Sequence, residues 1–413
     1  MSFLTRLLQI KEGEGKKVFT FFLCFFFVVG SFMFGRTARD TFFLSRFDIK
    51  YLPHMFILIA IAIGLTIAIY TRISKRYSLL PLTMATFAIG AGSFLVIQIF
   101  LAPWIYPVLY VWFEVIGTIM MIQFWMLASS AFTSREAKRL FSVVASGAAI
   151  ANTALGFSMG TLVNLLGTNF LLPATSLFIG LGLVTVFFMK QHLAPVSPAP
   201  ARGPSTGTKK KKGGVLGSSY LRVMTITIVA ASIVGALVDY QMKMIVSELP
   251  EDQMADLFGK LYGTIGFISI FMQFFVTGRF LTTFGVLWAL MFLPGALLLG
   301  SAMIVITPVL FSGVMAKAGD QIFRFTLHDT SSQLLWLPVS PQEKNRAKPF
   351  IDGTIKNGAG GLSGLLIMAL MYLFNDIRLL SVPSVFLLVV WVLSNFKLKQ
   401  GYVSELRKAI EKR

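Results

Sequence analysis

Cysteine, histidine and acidic residues are scarce in this sequence of 413 residues. The one cysteine, Cys24, lies in an apolar run, so no disulfide framework is expected. With three histidines and no Cys/His spacing typical of a metal site, we expect no metal and no other cofactor. No glycine-rich phosphate loop is followed by Lys-Ser or Lys-Thr. ATP-driven pumping and hydrolytic chemistry are therefore unsupported, and we expect the protein not to be an enzyme.

Charged residues are also few, at 13% of positions, whereas hydrophobic residues make up 55%. A soluble chain of this length has far more polar surface. Apolar runs of about twenty residues recur along the whole length, as the bilayer core requires. A single anchor on a soluble domain is disfavoured, since no soluble-looking stretch exceeds about thirty residues. The sequence predicts an all-α membrane protein with about twelve transmembrane helices.

The apolar runs form two groups of six, separated by a linker at 191–219 that is rich in Pro, Gly, Ser and Lys. Such a composition predicts a flexible cytoplasmic tether. We expect six-helix bundles at 18–190 and 220–396, a cytoplasmic N-terminal segment at 1–17 and a cytoplasmic C-terminal helix at 397–413. That helix is basic and amphipathic, which suits the membrane surface, a cytoplasmic partner or a fused domain. The predicted spans are 18–46, 52–72, 79–101, 103–133, 142–166, 168–190, 220–247, 258–279, 284–305, 308–337, 349–375 and 377–396.

The net charge of +19 follows from the positions of the loop lysines and arginines rather than from binding of nucleic acid. One set of alternate connections holds nearly all of them, and the other set holds only Arg46, Lys50 and Arg378. By the positive-inside rule, both termini of this inner-membrane protein are predicted in the cytoplasm. The acidic connection Ser247–Asp256 then faces outward.

Ionisable residues inside the spans are concentrated on a few helices. A charge at the bilayer centre costs about 2.5–3.5 kcal/mol, so it needs a partner, water or a function. Spans 2, 3, 5, 6, 9 and 12 have essentially none in their interiors. We therefore expect the charged spans to face an aqueous cavity and the others to face lipid. The charged positions are Arg36, Arg39, Asp40, Glu114, Asp239, Lys243, Lys317, Asp320, Arg324, His328, Asp329, Asp352 and Lys356.

Four pairs of these charges are spaced i,i+4, which places both members on one helix face. They are Arg36/Asp40, Asp239/Lys243, Asp320/Arg324 and Asp352/Lys356. Each pair either neutralises itself or takes part in salt bridges that form and break during transport. Arginine is the natural contact for phosphate, because its guanidinium offers paired donors.

The two halves look like repeats, since Glu136/Arg139 after span 4 and Glu343/Arg346 after span 10 share a Glu-x-x-Arg pattern followed by Phe. Many secondary transporters consist of two such six-span halves, with the substrate held between them near the midplane.

Two stretches carry a family resemblance. FEVIGTIMMIQFW and SREAKRLFSVVASGAAIANTALG lie within 113–156, and RFTLHDTSSQLLWLPVSPQEKNRAKPFIDG covers 324–353. Weaker similarity lies in TARDTFFL and ALVDYQMK. The chain resembles the ATP/ADP translocase (nucleotide transporter) family as a divergent bacterial member, which implies a major-facilitator-type fold with two pseudo-symmetric bundles.

The resemblance places the family's functional residues onto positions of this chain. Its span 1 lysine corresponds to Arg39, its span 4 glutamate to Glu114, its span 7 glutamate to Asp239 and its span 11 basic residue to Lys348. The chain departs from the family where a Lys-Glu pair of span 10 is replaced by Ser332 and Gln333.

The leading hypothesis is a secondary transporter for a nucleotide or related phosphorylated anion, working by alternating access. The expected substrate contacts are Arg36, Arg39, Lys317, Arg324 and Lys348 or Lys356. Gating or coupling is assigned to Asp40, Glu114, Asp239, Lys243, Asp320 and Asp352. The alternatives are a transporter of lipid or another amphipathic organic anion on the same fold, and a transporter-derived membrane sensor or scaffold.

Overall fold

A computed structural model describes residues 11, 13–74, 76–100, 102–192, 218–336, 338–339, 343, 347–348, 350–374 and 376–411. The predicted linker and the N-terminal segment therefore lie largely outside the described residues. Helices dominate the described part of the chain, which contains no β-strand. The helices are α1 Gly15–Arg46, α2 Leu52–Ile73, α3 Leu79–Ile99, α4 Ile105–Ala131, α5 Ser134–Leu166, α6 Leu171–Met189, α7 Ser219–Val246, α8 Glu251–Phe271, α9 Gly278–Ile306, α10 Leu310–Phe323, α11 Asp329–Leu334, α12 Lys356–Phe374 and α13 Ser381–Glu411.

Eleven helical stretches within the described ranges are long and apolar enough to cross a membrane. They correspond to eleven of the predicted spans, so an all-α membrane fold is confirmed. The stretch that falls outside this count is predicted span 10. Here α10, a π-helical turn at Arg324–His328 and α11 follow one another without a break, and the stretch is rich in charge.

Two helices begin earlier than the sequence predicted. Helix α5 begins at Ser134 rather than 142, because Thr133 and Glu136 form a capping box that satisfies the first backbone N–H groups. Helix α8 begins at Glu251, so most of the acidic connection 247–256 is helical. Its first-turn carboxylates suit the positive end of the helix dipole.

The last helix is longer than predicted. A span at 377–396 and a separate C-terminal helix were expected, but α13 continues unbroken to Glu411.

Helix α9 contains an internal break. Gly285 adopts φ 81°, a backbone conformation that L side chains rarely adopt, and the helix bends there.

The chain divides into two compact units. Unit 1 comprises Met1–Phe43, Leu65–Lys212 and Glu251–Phe267, and unit 2 comprises Leu44–Gly64, Gly213–Pro250 and Ile268–Arg413. The first part of α2 thus groups with unit 2, and most of α8 groups with unit 1.

Burial follows the distribution of charge on most helices. In the most apolar window of α1, 61% of residues are buried, against 22% in α2 and 28% in the apolar part of α5. The charged helices α4 and α7 also reach 50%. Three helices do not follow: only 22% of the α12 window is buried although the helix begins with Lys356, and α6 and α9, whose apolar parts are uncharged, reach 44%. Unit 2 is held together where α7 packs against α9, α10 and α13 through Val234, Val238, Leu297, Ala316 and Trp391.

Candidate functional site: two buried charge clusters

The first cluster lies in unit 1 and centres on Arg39 of α1. Its guanidinium bonds the Asp40 carboxylate at 3.0 Å and also donates to Glu114 on α4. Arg39 and Asp40 are buried, at 3% and 0% exposure, whereas the Glu114 side chain is 35% exposed. The guanidinium also lies 4.4 Å from the ring centre of Tyr110. Glu114 is thus the most exposed charged member of this cluster.

The aromatic contact supports the buried arginine on its remaining face. A cation over an aromatic ring gains about 0.5–2 kcal/mol, most where water is excluded. Tyr110 is itself 1% exposed and packs against Phe43 of α1, with ring centres 5.0 Å apart. Arg39 therefore contacts two carboxylates and an aromatic ring.

Arg36 lies one helical turn before Asp40 and has a different contact. Its guanidinium lies over the ring of Tyr262 on α8, 4.6 Å from the ring centre. Tyr262 stacks in turn on Phe258, with the rings 10° from parallel. Sequence spacing had linked Arg36 with Asp40 alone, and Tyr262 was not anticipated.

The second cluster lies in unit 2 and centres on Asp239 of α7. One carboxylate oxygen receives Lys243 at 2.9 Å, and the other receives Lys317 of α10 at 2.6 Å. Both lysines are nearly inaccessible, at 1% and 4% exposure. One carboxylate therefore holds two buried ammonium groups. Removing one member of a buried pair typically costs about 3–5 kcal/mol, because an uncompensated charge stays behind.

Arg324 belongs to the same helix–helix contact. It pairs with Asp320 one turn earlier, with Nη2 at 2.5 Å and Nε at 3.1 Å from Oδ1. Nη2 also donates to the backbone carbonyl of Ala231 on α7 at 3.2 Å. This approach depends on Gly235, since a Cβ there would lie 2.5 Å from Nη2.

These contacts run in register along two helix faces. Ala231, Gly235, Asp239 and Lys243 recur every four residues on α7, and Lys317, Asp320 and Arg324 share one face of α10 and its π turn. Arg324 meets the 231–235 end and Lys317 meets Asp239, so the two faces run antiparallel. Three cations and two carboxylates therefore lie along one helix contact, with Lys243, Lys317 and Asp320 buried and Asp239 and Arg324 partly buried.

The remaining predicted residues differ in burial, and the side chain of one lies outside the described part of the chain. Lys356 is exposed at the first residue of α12, and Lys348 is half-buried with a partner. The side chain of Asp352 lies outside the described part of the chain, so the predicted Asp352/Lys356 pair is not visible. His328 is buried with its ring against Trp391, ring centres 5.4 Å apart.

Sequence spacing predicted two of the ion pairs within one helix and missed those between helices. Asp239/Lys243 and Asp320/Arg324 are present as the i,i+4 rule predicted. No local pattern in the sequence predicts the ion pair between Lys317 and Asp239 or the close approach of Arg324 to Gly235. The same holds for the ring contacts of Tyr110 and Tyr262. The one local feature that could have indicated a contact is Tyr110, an aromatic residue one helical turn before Glu114.

Comparison of the sequence with known proteins identifies a similar carrier protein. No family model matches the chain. The ADP,ATP carrier protein 2 of Chlamydia pneumoniae is 21% identical over 91% of this chain and 79% of its own length. The predicted resemblance to the ATP/ADP translocase family is confirmed. The similarity covers most of the chain, so we describe the chain as translocase-like.

Solved structures agree on the fold. A point mutant of the nucleoside transporter NupG superposes with a TM-score of 0.67 at 14% identity, covering 92% of this chain and 98% of that one. The POT family transporter PepTSo gives 0.67 at 10% identity, covering 96% and 99%. A bacterial homologue of the iron transporter ferroportin gives 0.66 at 11% identity, covering 92% and 98%. The major-facilitator-type fold is confirmed, and the translocase-like chain has the architecture of a multi-span membrane transporter.

Proposed function

We propose that the protein is a secondary transporter for a nucleotide or a related phosphorylated anion, which it moves by alternating access. The observation that carries the proposal is the carboxylate of Asp239 bound between Lys243 and Lys317. Two buried ammonium groups about one anionic group are an arrangement that phosphate oxygens also satisfy. The translocase-like relative is named as an ADP,ATP carrier, which favours nucleotides as the first substrates to test.

The internal carboxylates have a clear role in such a cycle. Without substrate, Asp239 and Asp320 keep Lys317 and Arg324 paired, since an unpaired buried cation is costly. A substrate phosphate takes the place of the Asp239 carboxylate at Lys317 and gains charge-assisted hydrogen bonds, while Asp239 keeps its ion pair with Lys243. Release of the substrate then restores the internal pair. This exchange of partners provides a site for anions without leaving bare charges in the membrane between transport steps.

In unit 1 the corresponding cluster offers Arg39, whose partner Glu114 is partly exposed. We assign Arg39 as a substrate contact and Glu114 as the group that exchanges its ion pair or a proton during transport. Arg36, Lys348 and Lys356 remain proposed contacts, and Asp40, Lys243 and Asp352 remain proposed gating or coupling residues.

Uptake into proteoliposomes tests the proposal directly. The protein is reconstituted and supplied with labelled ATP, ADP, other nucleotides and non-nucleotide phosphorylated metabolites. We expect uptake of at least one, and Lys317→Gln should reduce it at least tenfold, about the effect of losing one charge-assisted contact. Lys260→Gln is the matched control, because Lys260 is 64% exposed and pairs with Asp256 at 2.6 Å on the protein surface.

Two results would contradict the proposal. Absence of both binding and uptake across the panel excludes a phosphorylated substrate. Equal uptake by Lys317→Gln and wild type excludes the unit 2 cluster as the site. Uptake of an amphipathic lipid in place of the panel would support the alternative cargo on the same fold.

A further inference from the structure

Unit 2 contains an apolar cavity at the bend of α9, apart from the charge clusters. Its volume is about 230 Å³. Gly285, with its positive φ, turns the chain so that Phe284 and Trp288 flank the opening. These two side chains are 58% and 57% exposed. Val286, Leu287 and Leu290 of α9 and Leu335 form further wall, and α13 completes it with Leu398, Lys399 and Tyr402.

The end of the apolar part of α13 gives the depth of this cavity in a membrane. Between Arg378 and Lys397 no residue is charged. This stretch spans about 27 Å at 1.5 Å per residue, close to the roughly 30 Å of a hydrocarbon core. Lys397 and Lys399 are exposed and follow directly. They lie at the level of the lipid headgroups, where Trp and Tyr side chains also concentrate.

Charge distinguishes this cavity from an ordinary apolar surface. Among the described residues that line it, Lys399 is the one with a charge, and its side chain is exposed. A lysine beside an apolar groove at headgroup depth complements a ligand with a hydrocarbon tail and a negative head.

We propose that this cavity binds an anionic phospholipid, with part of an acyl chain against Trp288 and Leu398 and the phosphate at Lys399. A hydrocarbon chain matches the apolar wall and the exposed aromatic opening. A soluble phosphate compound would leave that wall in water, so a lipid is the better occupant. The proposal depends on the membrane fold and is independent of the transported substrate.

Native mass spectrometry of the detergent-purified protein tests this. Phosphatidylglycerol and phosphatidylcholine with identical acyl chains are added separately, and the bound fraction is compared. We expect wild type to retain phosphatidylglycerol preferentially, and Lys399→Gln to reduce its retention by about fivefold, toward the phosphatidylcholine level. Lys397→Gln should retain it as wild type does, because positions two apart on a helix point to nearly opposite sides.

Two further arms make the result decisive. Glycerophosphoglycerol carries the same head without acyl chains, and we expect it not to displace the bound lipid. Phosphatidylglycerol brominated in its acyl chains should quench tryptophan fluorescence more than brominated phosphatidylcholine does, and Trp288→Phe should remove that difference. The proposal would be overturned if wild type retained the two lipids equally or if Lys399→Gln retained phosphatidylglycerol as wild type does. Displacement of the bound lipid by glycerophosphoglycerol would also overturn it.

Discussion

Gly235 shows how the absence of a side chain can position a charge. Arg324 reaches across to the carbonyl of Ala231, and its Nη2 occupies the space that a Cβ at Gly235 would need. The neighbouring atom is the end of a flexible side chain, so Gly235→Ala displaces the guanidinium rather than separating the helices. A small substitution can therefore disturb one buried cation selectively.

If Arg324 contacts the transported anion, Gly235→Ala should weaken apparent substrate affinity by about tenfold, the scale of one charged hydrogen bond. Protein yield and the unfolding temperature should change little. Gly319→Ala on α10 is the control, because its Cβ meets Ala296 at 3.6 Å, an ordinary contact. The affinity is measured as KM for proteoliposome uptake.

A double variant separates positioning from packing. In an Arg324→Gln background the guanidinium is gone, and Gly235→Ala should add no further loss. An equal loss in both backgrounds would show that Gly235 acts through helix packing instead.

At the scale of an element, the start of α5 is stabilised by local polar contacts outside the membrane span. Thr133 N–H donates to Glu136 at 2.8 Å, and Lys17 bonds the same carboxylate at 3.1 Å. The backbone hydrogen bond, followed by Lys17, holds the pKa of Glu136 below its ordinary value of 4.5. The folded protein therefore favours the ionised form.

This predicts a pH-dependent stability. A lowered folded pKa contributes stability above the unfolded pKa, and that contribution is lost as the pH falls through the folded value. At neutral pH, Glu136→Ala should lower the free energy of unfolding by about 1 kcal/mol. The difference from wild type should shrink below about pH 4.5.

Denaturation of the detergent-solubilised protein, followed at several pH values, measures this difference. Glu248→Ala removes an exposed carboxylate of the α7–α8 connection and serves as the control. A Glu136→Ala deficit that stays constant from pH 7 to pH 3 would show that the capping carboxylate is not responsible.

At the scale of the whole molecule, the proposed orientation in the membrane rests on the distribution of lysine and arginine. The protein is proposed to lie in the bacterial inner membrane with both termini in the cytoplasm. Cys24 is the one native cysteine and is fully buried. Introduced cysteines can therefore be labelled without background from the wild-type chain.

The orientation makes a direct prediction. Glu248→Cys should react with a membrane-impermeant maleimide in intact spheroplasts, and Ser404→Cys should react only after permeabilisation. Both positions are exposed, so access depends on the side of the membrane alone. The reverse pattern would invert the proposed orientation and place Lys399 in the outer leaflet.

The amino-acid sequence alone determined the membrane fold, the approximate spans and the helices that carry charge. Each of these follows from properties local in the chain: apolar length, the cost of a buried ion and the i,i+4 neighbours on one helix face. Asp239/Lys243 and Asp320/Arg324 were readable for that reason. The early start of α5 was missed because a capping box outweighed the charged composition that had suggested a loop.

The tertiary structure decided which ions meet across helices. Lys317 is 78 residues from Asp239, and Glu114 is 75 from Arg39. No periodicity specifies such a pairing, since it depends on the register in which two helices pack. That register is set by the surfaces they share, including the packing of Val234 and Val238 of α7 against Ala316 of α10. Packing thereby turned separate charged positions into two defined clusters.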